Sequence, residues 1–196
     1  MGWTGVYSSR PAKEIIAEDL TFANENGSGR IVKTATKLRV TYVAWERRYA
    51  TGTKSMYAGK TFIMGVVVLH SRKDGEFVYK TMTEDMGPYE SECPASILDL
   101  LSPVEAFAEP GTDCHKWATN WRNRCREAIA KRANAPGDGA TIRFKEPIRF
   151  TNGDTISAFT IHKRGRKVRF SVVGDGNAVY RISGWQQRPY EILPCN

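Results

Sequence analysis

Thr61-Phe62-Ile63-Met64-Gly65-Val66-Val67-Val68-Leu69 is apolar at nearly every position and rich in β-branched residues. A strand exposed on one face alternates apolar and polar residues, so an unbroken apolar run predicts a central strand buried on both faces. At eight residues, Phe62–Leu69 is the longest apolar run in the chain, less than half of what spans a bilayer. Outward from this strand, Lys73-Asp74-Gly75 makes a turn into Phe77-Val78-Tyr79, a hairpin partner. On the other side, Arg30–Thr36 and Lys37–Arg47 both alternate, the second with Val40, Tyr42 and Ala44 on one face and Trp45 on the other. Pro11–Phe22 reads as an amphipathic helix, with Ile15, Ile16, Leu20 and Phe22 opposite Glu14, Glu18 and Asp19.

The second half is organised by one helix and one boundary. From Asp113 to about Ala133, the residues Cys114, Trp117, Ala118, Trp121, Cys125, Ala128 and Ile129 recur at spacings of three and four. Both tryptophans are therefore expected in the core, with Lys116, Arg122, Arg126 and Lys131 largely off the stripe. Ala135-Pro136-Gly137-Asp138-Gly139 then breaks the chain. Beyond it, Thr141–Phe144, Thr155–Lys163, Lys167–Val173, Ala178–Ile182 and Tyr190–Leu193 read as short strands between glycine turns. The expected fold class is α+β. An N-terminal domain over residues 1–134, mixed around the central strand and carrying two or three helices, precedes a small SH3-like or OB-like β-barrel over residues 135–196.

The 196 residues carry 29 Lys or Arg against 21 Asp or Glu, a formal charge of +8. From Ala135 onward there are ten cationic and five acidic residues, so that third holds +5 of the excess. Such asymmetry points to an anionic partner, either nucleic acid or an acidic protein face. Its focus is His162-Lys163-Arg164-Gly165-Arg166-Lys167-Val168-Arg169-Phe170, which packs six potentially cationic groups around one turn. Alternation sends Phe159, Ile161, Val168 and Phe170 inward and many of the basic side chains outward. Lys163, Arg164, Arg166, Lys167, Arg169 and Arg181 are the candidate binding residues, because small barrels hold anionic chains on such faces. The competing reading is cationic protection of a sheet edge.

A second candidate lies in Asp85-Met86-Gly87-Pro88-Tyr89-Glu90-Ser91-Glu92-Cys93-Pro94. Gly87-Pro88 forces a structural turn. Pro94 suits the first position of a helix, which makes Cys93 its N-cap, a setting that lowers a thiol pKa. A cysteine enzyme built here would use Cys93, with His115 or His70 as base and a carboxylate such as Asp85 to orient it. No signature of a known cysteine enzyme surrounds Cys93, and the non-enzymatic reading is preferred. Cys93, Cys114, His115 and Cys125 lack zinc spacing, and Cys114 and Cys125 lie about 16 Å apart along one helix. No Walker A loop, dinucleotide fingerprint or paired-histidine helix is present, so neither metal nor cofactor is expected. Four cysteines in a chain of this size, with no leader, predict free thiols in a soluble cytoplasmic protein without a membrane partner.

Met1-Gly2-Trp3-Thr4, Asp85…Gly87-Pro88-Tyr89…Cys93-Pro94-x-Ser96-Ile97-Leu98-Asp99-Leu100-Leu101-Ser102 and Trp117…Trp121-Arg122-x-x-Cys125 together resemble a family of uncharacterised bacterial, phage and plasmid proteins. The resemblance spans most of the first 130 residues, and this chain departs from it by an inserted Phe107–Asp113 stretch. No activity is established for that family, so it lends no catalytic role. Its distribution implies an accessory protein of a phage or mobile element, an inhibitor acting against a host nucleic-acid-handling or defence complex.

Overall fold

The structure, a computed structural model, describes residues 4–8, 11–73, 76–165 and 167–194; for 4–8, 71–73, 76–79 and 176–178 only the backbone is described. Trp3 of the N-terminal tetrapeptide, the Asp74-Gly75 turn, Arg166 and Cys195 lie outside the described residues. The fold is α+β, with two antiparallel sheets, one in each of two compact units spanning Met1–Ala133 and Asn134–Asn196.

In the first unit six strands stand in the order β1 (Thr4–Ser8), β6 (Glu76–Thr83), β5 (Thr61–Lys73), β4 (Val40–Tyr49), β3 (Gly27–Lys37) and β2 (Phe22–Asn24). The apolar run forms most of β5 and is flanked by β4 and β6. Val66, Val67 and Val68 are all fully buried, consecutive residues on opposite faces. Val66 and Val68 meet Val43 and the helix α1 (Ala12–Leu20) through Ile15, Ile16 and Leu20. Val67 meets Tyr42, Ala44 and a layer made by α2 (Ala95–Leu98) and α3 (Asp113–Ala133), contributing Ile97, Leu98, Trp121 and Cys125. Two coated faces explain the missing alternation, and each valine so buried contributes about 1.5–3 kcal/mol. Lys73 pairs with Glu76, the last described pair of the β5–β6 ladder.

Gly65 stands just before the three valines for a packing reason. A Cβ there would stand 2.8 Å from the Trp121 ring, so only glycine lets α3 lie this close to the strand. Trp121 is fully buried and its indole N–H donates to the Glu90 carbonyl at 2.8 Å. Trp117 departs from the expected core position. It is 47% exposed, and its side chain lies over Gly87, which has φ +66°. Cys114, also expected on the buried stripe, is exposed in the first turn of α3.

The second unit is a sheet of five strands in the order β10 (Asp175–Tyr180), β9 (Lys167–Val172), β8 (Thr155–Arg164), β7 (Thr141–Arg149) and β11 (Tyr190–Leu193), a four-stranded meander whose last strand β11 returns to pair with β7. The sheet curls into a half-barrel around Ile142, Phe144, Phe159, Ile161, Phe170 and Trp185. Phe159 stands edge-on to both Phe144 and Phe170, the favoured geometry for aromatic rings. β7 runs five residues beyond its expected end, through a register shift between Arg143 and Ile148. Such a shift bends a strand and increases its twist.

Candidate functional site

The register of β8 and β9 decides what the basic hairpin presents. Arg164 pairs with Lys167, His162 with Arg169 and Thr160 with Ser171, so all six point to the convex side, away from Phe159, Ile161 and Phe170. Directly paired residues in an antiparallel sheet share a face. Arg143 on β7 pairs with Ala158 and joins the same face. Arg164, Lys167 and Arg169 are exposed and form no ion pair among the described residues. Arg143 meets Glu191 at 3.3 Å, an exposed contact of little energetic weight. His162 is steadied by a 2.8 Å hydrogen bond between its Nε2 and the buried Ser171 hydroxyl.

The remaining candidates divide. Lys163 pairs with Val168 and therefore belongs to the opposite side of the hairpin from Arg164. Its backbone N–H donates to Asp138 Oδ1 at 2.6 Å, which ties the linker to the end of β8. Arg181 is exposed and follows Tyr180, whose β9 partner is Phe170, so the chain leaves β10 toward the level of Arg169. The convex face thus gathers Arg143, His162, Arg164, Lys167 and Arg169, and can present point charges and guanidinium forks to a run of anions.

At the other candidate site the structure corrects the sequence reading. Pro94, not Cys93, is the N-cap of α2, and the helix has only four residues. Cys93 lies one residue earlier, fully buried among Tyr42, Val67, Ile97 and Cys125. Burial pushes its thiol pKa up rather than down, and the neighbouring Cys125 thiol rises to about 11 for the same reason. The other two members of the drawn triad have partners of their own. Asp85 accepts from the Thr83 hydroxyl, and His115 Nε2 meets Glu105 Oε1 at 3.2 Å. The three groups do not form a nucleophile–base–orienter chain. Gly87 closes a 3-10 turn over Glu84–Met86 by donating its N–H to the Glu84 carbonyl at 3.1 Å, and Pro88 is buried behind it. Its carbonyl accepts from Arg124 at 2.5 Å. No group of three or more His, Cys, Asp or Glu among the described residues could hold a metal ion.

The sequence reading missed a buried ion pair beside this turn. Glu84 is fully buried, and Arg122 is 6% exposed. The guanidinium grips the carboxylate with Nε and Nη2, at 2.5 and 2.8 Å. Gly65 N–H adds a third hydrogen bond to the carboxylate at 2.8 Å, while Arg122 Nη1 donates to the Ser102 carbonyl at 2.7 Å. Desolvation pushes the Glu84 pKa up, opposed by Arg122 and the Gly65 N–H. A signal for the pair was present. Arg122 stands four residues after Ala118 and three before Cys125, and so lies on the buried stripe.

Among known proteins, a family described only as a domain of unknown function (DUF6927) matches residues 112–185. The matched stretch covers α3 and the second unit as far as Trp185, including the whole β8–β9 hairpin. No curated protein and no solved structure matches the chain.

Proposed function

We propose that this chain is a non-enzymatic binding protein that holds nucleic acid by its phosphate backbone on the convex face of the second sheet. In this reading it serves a phage or other mobile element by occupying the substrate of a host nucleic-acid-handling complex, and so acts as an inhibitor. One observation carries the proposal: strand register places Arg164, Lys167 and Arg169 beside His162 on one exposed face, with no ion pair to any of the three among the described residues. Cations so spaced along neighbouring strands suit phosphates, whose contacts give affinity without sequence preference.

The test is fluorescence anisotropy with labelled single- and double-stranded oligonucleotides of mixed sequence. With four or five phosphates contacted on a duplex, log affinity should fall against log salt with a slope of about −4. Affinity then drops more than about a hundredfold between about 50 and about 200 mM salt. The triple variant Arg164→Gln/Lys167→Gln/Arg169→Gln should reduce the slope by about 2–3. Absence of binding at low salt, an unchanged slope in the triple variant, or polyglutamate binding as tightly as DNA would each overturn the proposal. The last outcome would assign the face to an acidic protein.

A further inference from the structure

A cavity of about 410 Å³ lies in the first unit, between α1 and the face of the sheet formed by β3, β4 and β5. That volume falls within the range of roughly 300–1,000 Å³ common for small-molecule sites. The cavity is polarised along its length. At one end, Trp45 donates its indole N–H to the Leu20 carbonyl at 2.7 Å, which anchors the C-terminus of α1 beside Ile31, the β3 partner of Trp45. From Leu20 back to Lys13 the helix rises about 10 Å. Four residues of β4, from Trp45 back to Thr41, cover about 13 Å. Lys13, in the first turn of α1, lines the same cavity as Thr36, Thr41 and His70.

The two ends differ in chemistry. Ile16, Ala17 and Ile31 line the cavity toward the Trp45 end, an apolar wall. Thr36, Thr41 and His70, which also line the cavity, stand on three neighbouring strands away from the Trp45 end. The Thr36 and Thr41 hydroxyls are 2.9 Å apart, and Thr41 Oγ1 is 3.0 Å from His70 Nε2. Burial lowers the His70 pKa, which favours the neutral ring at neutral pH. With the proton on Nε2, His70 donates to Thr41, Thr41 donates to Thr36, and the Thr36 hydroxyl is left with a proton to offer the cavity. Lys13 is the cation among the lining residues, and none of them is acidic.

We infer that this cavity binds a small amphipathic carboxylic acid, its carboxylate held by Lys13 and the Thr36 hydroxyl and its hydrocarbon body along Ile16, Ala17 and Ile31. The charge of Lys13 selects an anion. The apolar wall favours an aliphatic body over a sugar or a nucleotide. This site is separate from the basic face of the second unit and stands or falls independently of it.

Decanoate is the probe, with 1-decanol, decylamine and acetate as controls, all well below micellar concentrations, followed by calorimetry on the full chain. Decanoate should bind and raise the melting temperature. Decanol should bind about tenfold more weakly, as expected for the loss of a charge-assisted hydrogen bond. Lys13→Gln and Thr36→Val should each weaken decanoate while leaving decanol unchanged. Ala17 and Thr34 line the cavity from exposed positions, so Ala17→Phe and Thr34→Phe fill it without entering the core. Either folded filling variant should lose decanoate binding. Decanol or decylamine binding as tightly as decanoate would overturn the inference. So would a folded Ala17→Phe or Thr34→Phe variant that binds decanoate like the parent, or no decanoate binding at all.

Discussion

Replacing Arg122 by methionine keeps most of the side chain's volume and removes the partner of a fully buried carboxylate. Glu84 would keep the Gly65 N–H at 2.8 Å but lose both guanidinium contacts, while the Ser102 carbonyl would lose its donor. Breaking a buried pair from one side is destabilising by about 3–5 kcal/mol, because an uncompensated charge remains in a medium of low polarity. For a unit of this size that corresponds to a fall of roughly 10–20 °C in melting temperature. The loss should depend on pH in a defined sense. Burial already raises the folded pKa of Glu84, and without Arg122 it rises further. Below the unfolded value of about 4.3 the carboxyl is protonated in both states and the charge penalty vanishes. As pH climbs from there through the folded pKa, stability is lost, so the gap from the parent widens between about pH 4 and neutrality. Urea unfolding at both ends of that window measures it. Glu84→Gln/Arg122→Met removes the charge while leaving an amide oxygen for Gly65, and should recover more than half of the loss at pH 7. A single variant within about 1 kcal/mol of the parent at pH 7, or a double variant no more stable than the single, would refute the reasoning.

Three further outcomes are expected. Gly87→Ala should destabilise by about 1–2 kcal/mol in a thermal melt, since it forces alanine to a φ of +66° and brings its Cβ to 3.3 Å from Trp117. Cys93→Ser should lower stability by about 1–3 kcal/mol, because it sets a hydroxyl among apolar side chains where no cap is made; Cys93→Ala should cost less. In the native protein at pH 8, iodoacetamide followed by peptide mass mapping should modify exposed Cys114 well before Cys93 or Cys125, whose buried thiols have raised pKa values.

What could be read from the sequence was the part governed by periodicity. The valine run of β5, the long repeat of α3 and the alternating Phe159, Ile161, Val168 and Phe170 each reflect a single face or pair of faces, and the α+β class follows from them. Residues at the margin of a stripe were harder. Trp117 and Cys114 fit the three–four spacing of α3, yet they stand at the side and end of the helix where the sheet no longer covers them. Hydrophobicity alone does not report where a neighbouring layer stops. Arg122 was assigned to solvent by its charge although its position matched the buried stripe, because its partner Glu84 is 38 residues away. Cys93 was misplaced by one residue, since Pro94 fits either the cap or the first helical position, and tertiary burial rather than local capping fixed its thiol chemistry. At the basic hairpin, composition located the charge, but only the register separated Lys163 from its neighbours.

That register has a consequence for the second unit's own folding. Arg164 faces Lys167 directly across this pair of strands, and Arg169 stands on the same face. Directly opposed like charges each work against pairing by about 0.2–1 kcal/mol. The hairpin is therefore held closed by Phe159, Ile161 and Phe170 beneath it while its upper surface pushes apart. Moderate salt should tighten this sheet by damping the self-repulsion, the opposite of its effect on any bound polyanion. An anionic ligand laid across the strands would act as a fastener, so that occupancy and hairpin stability rise together.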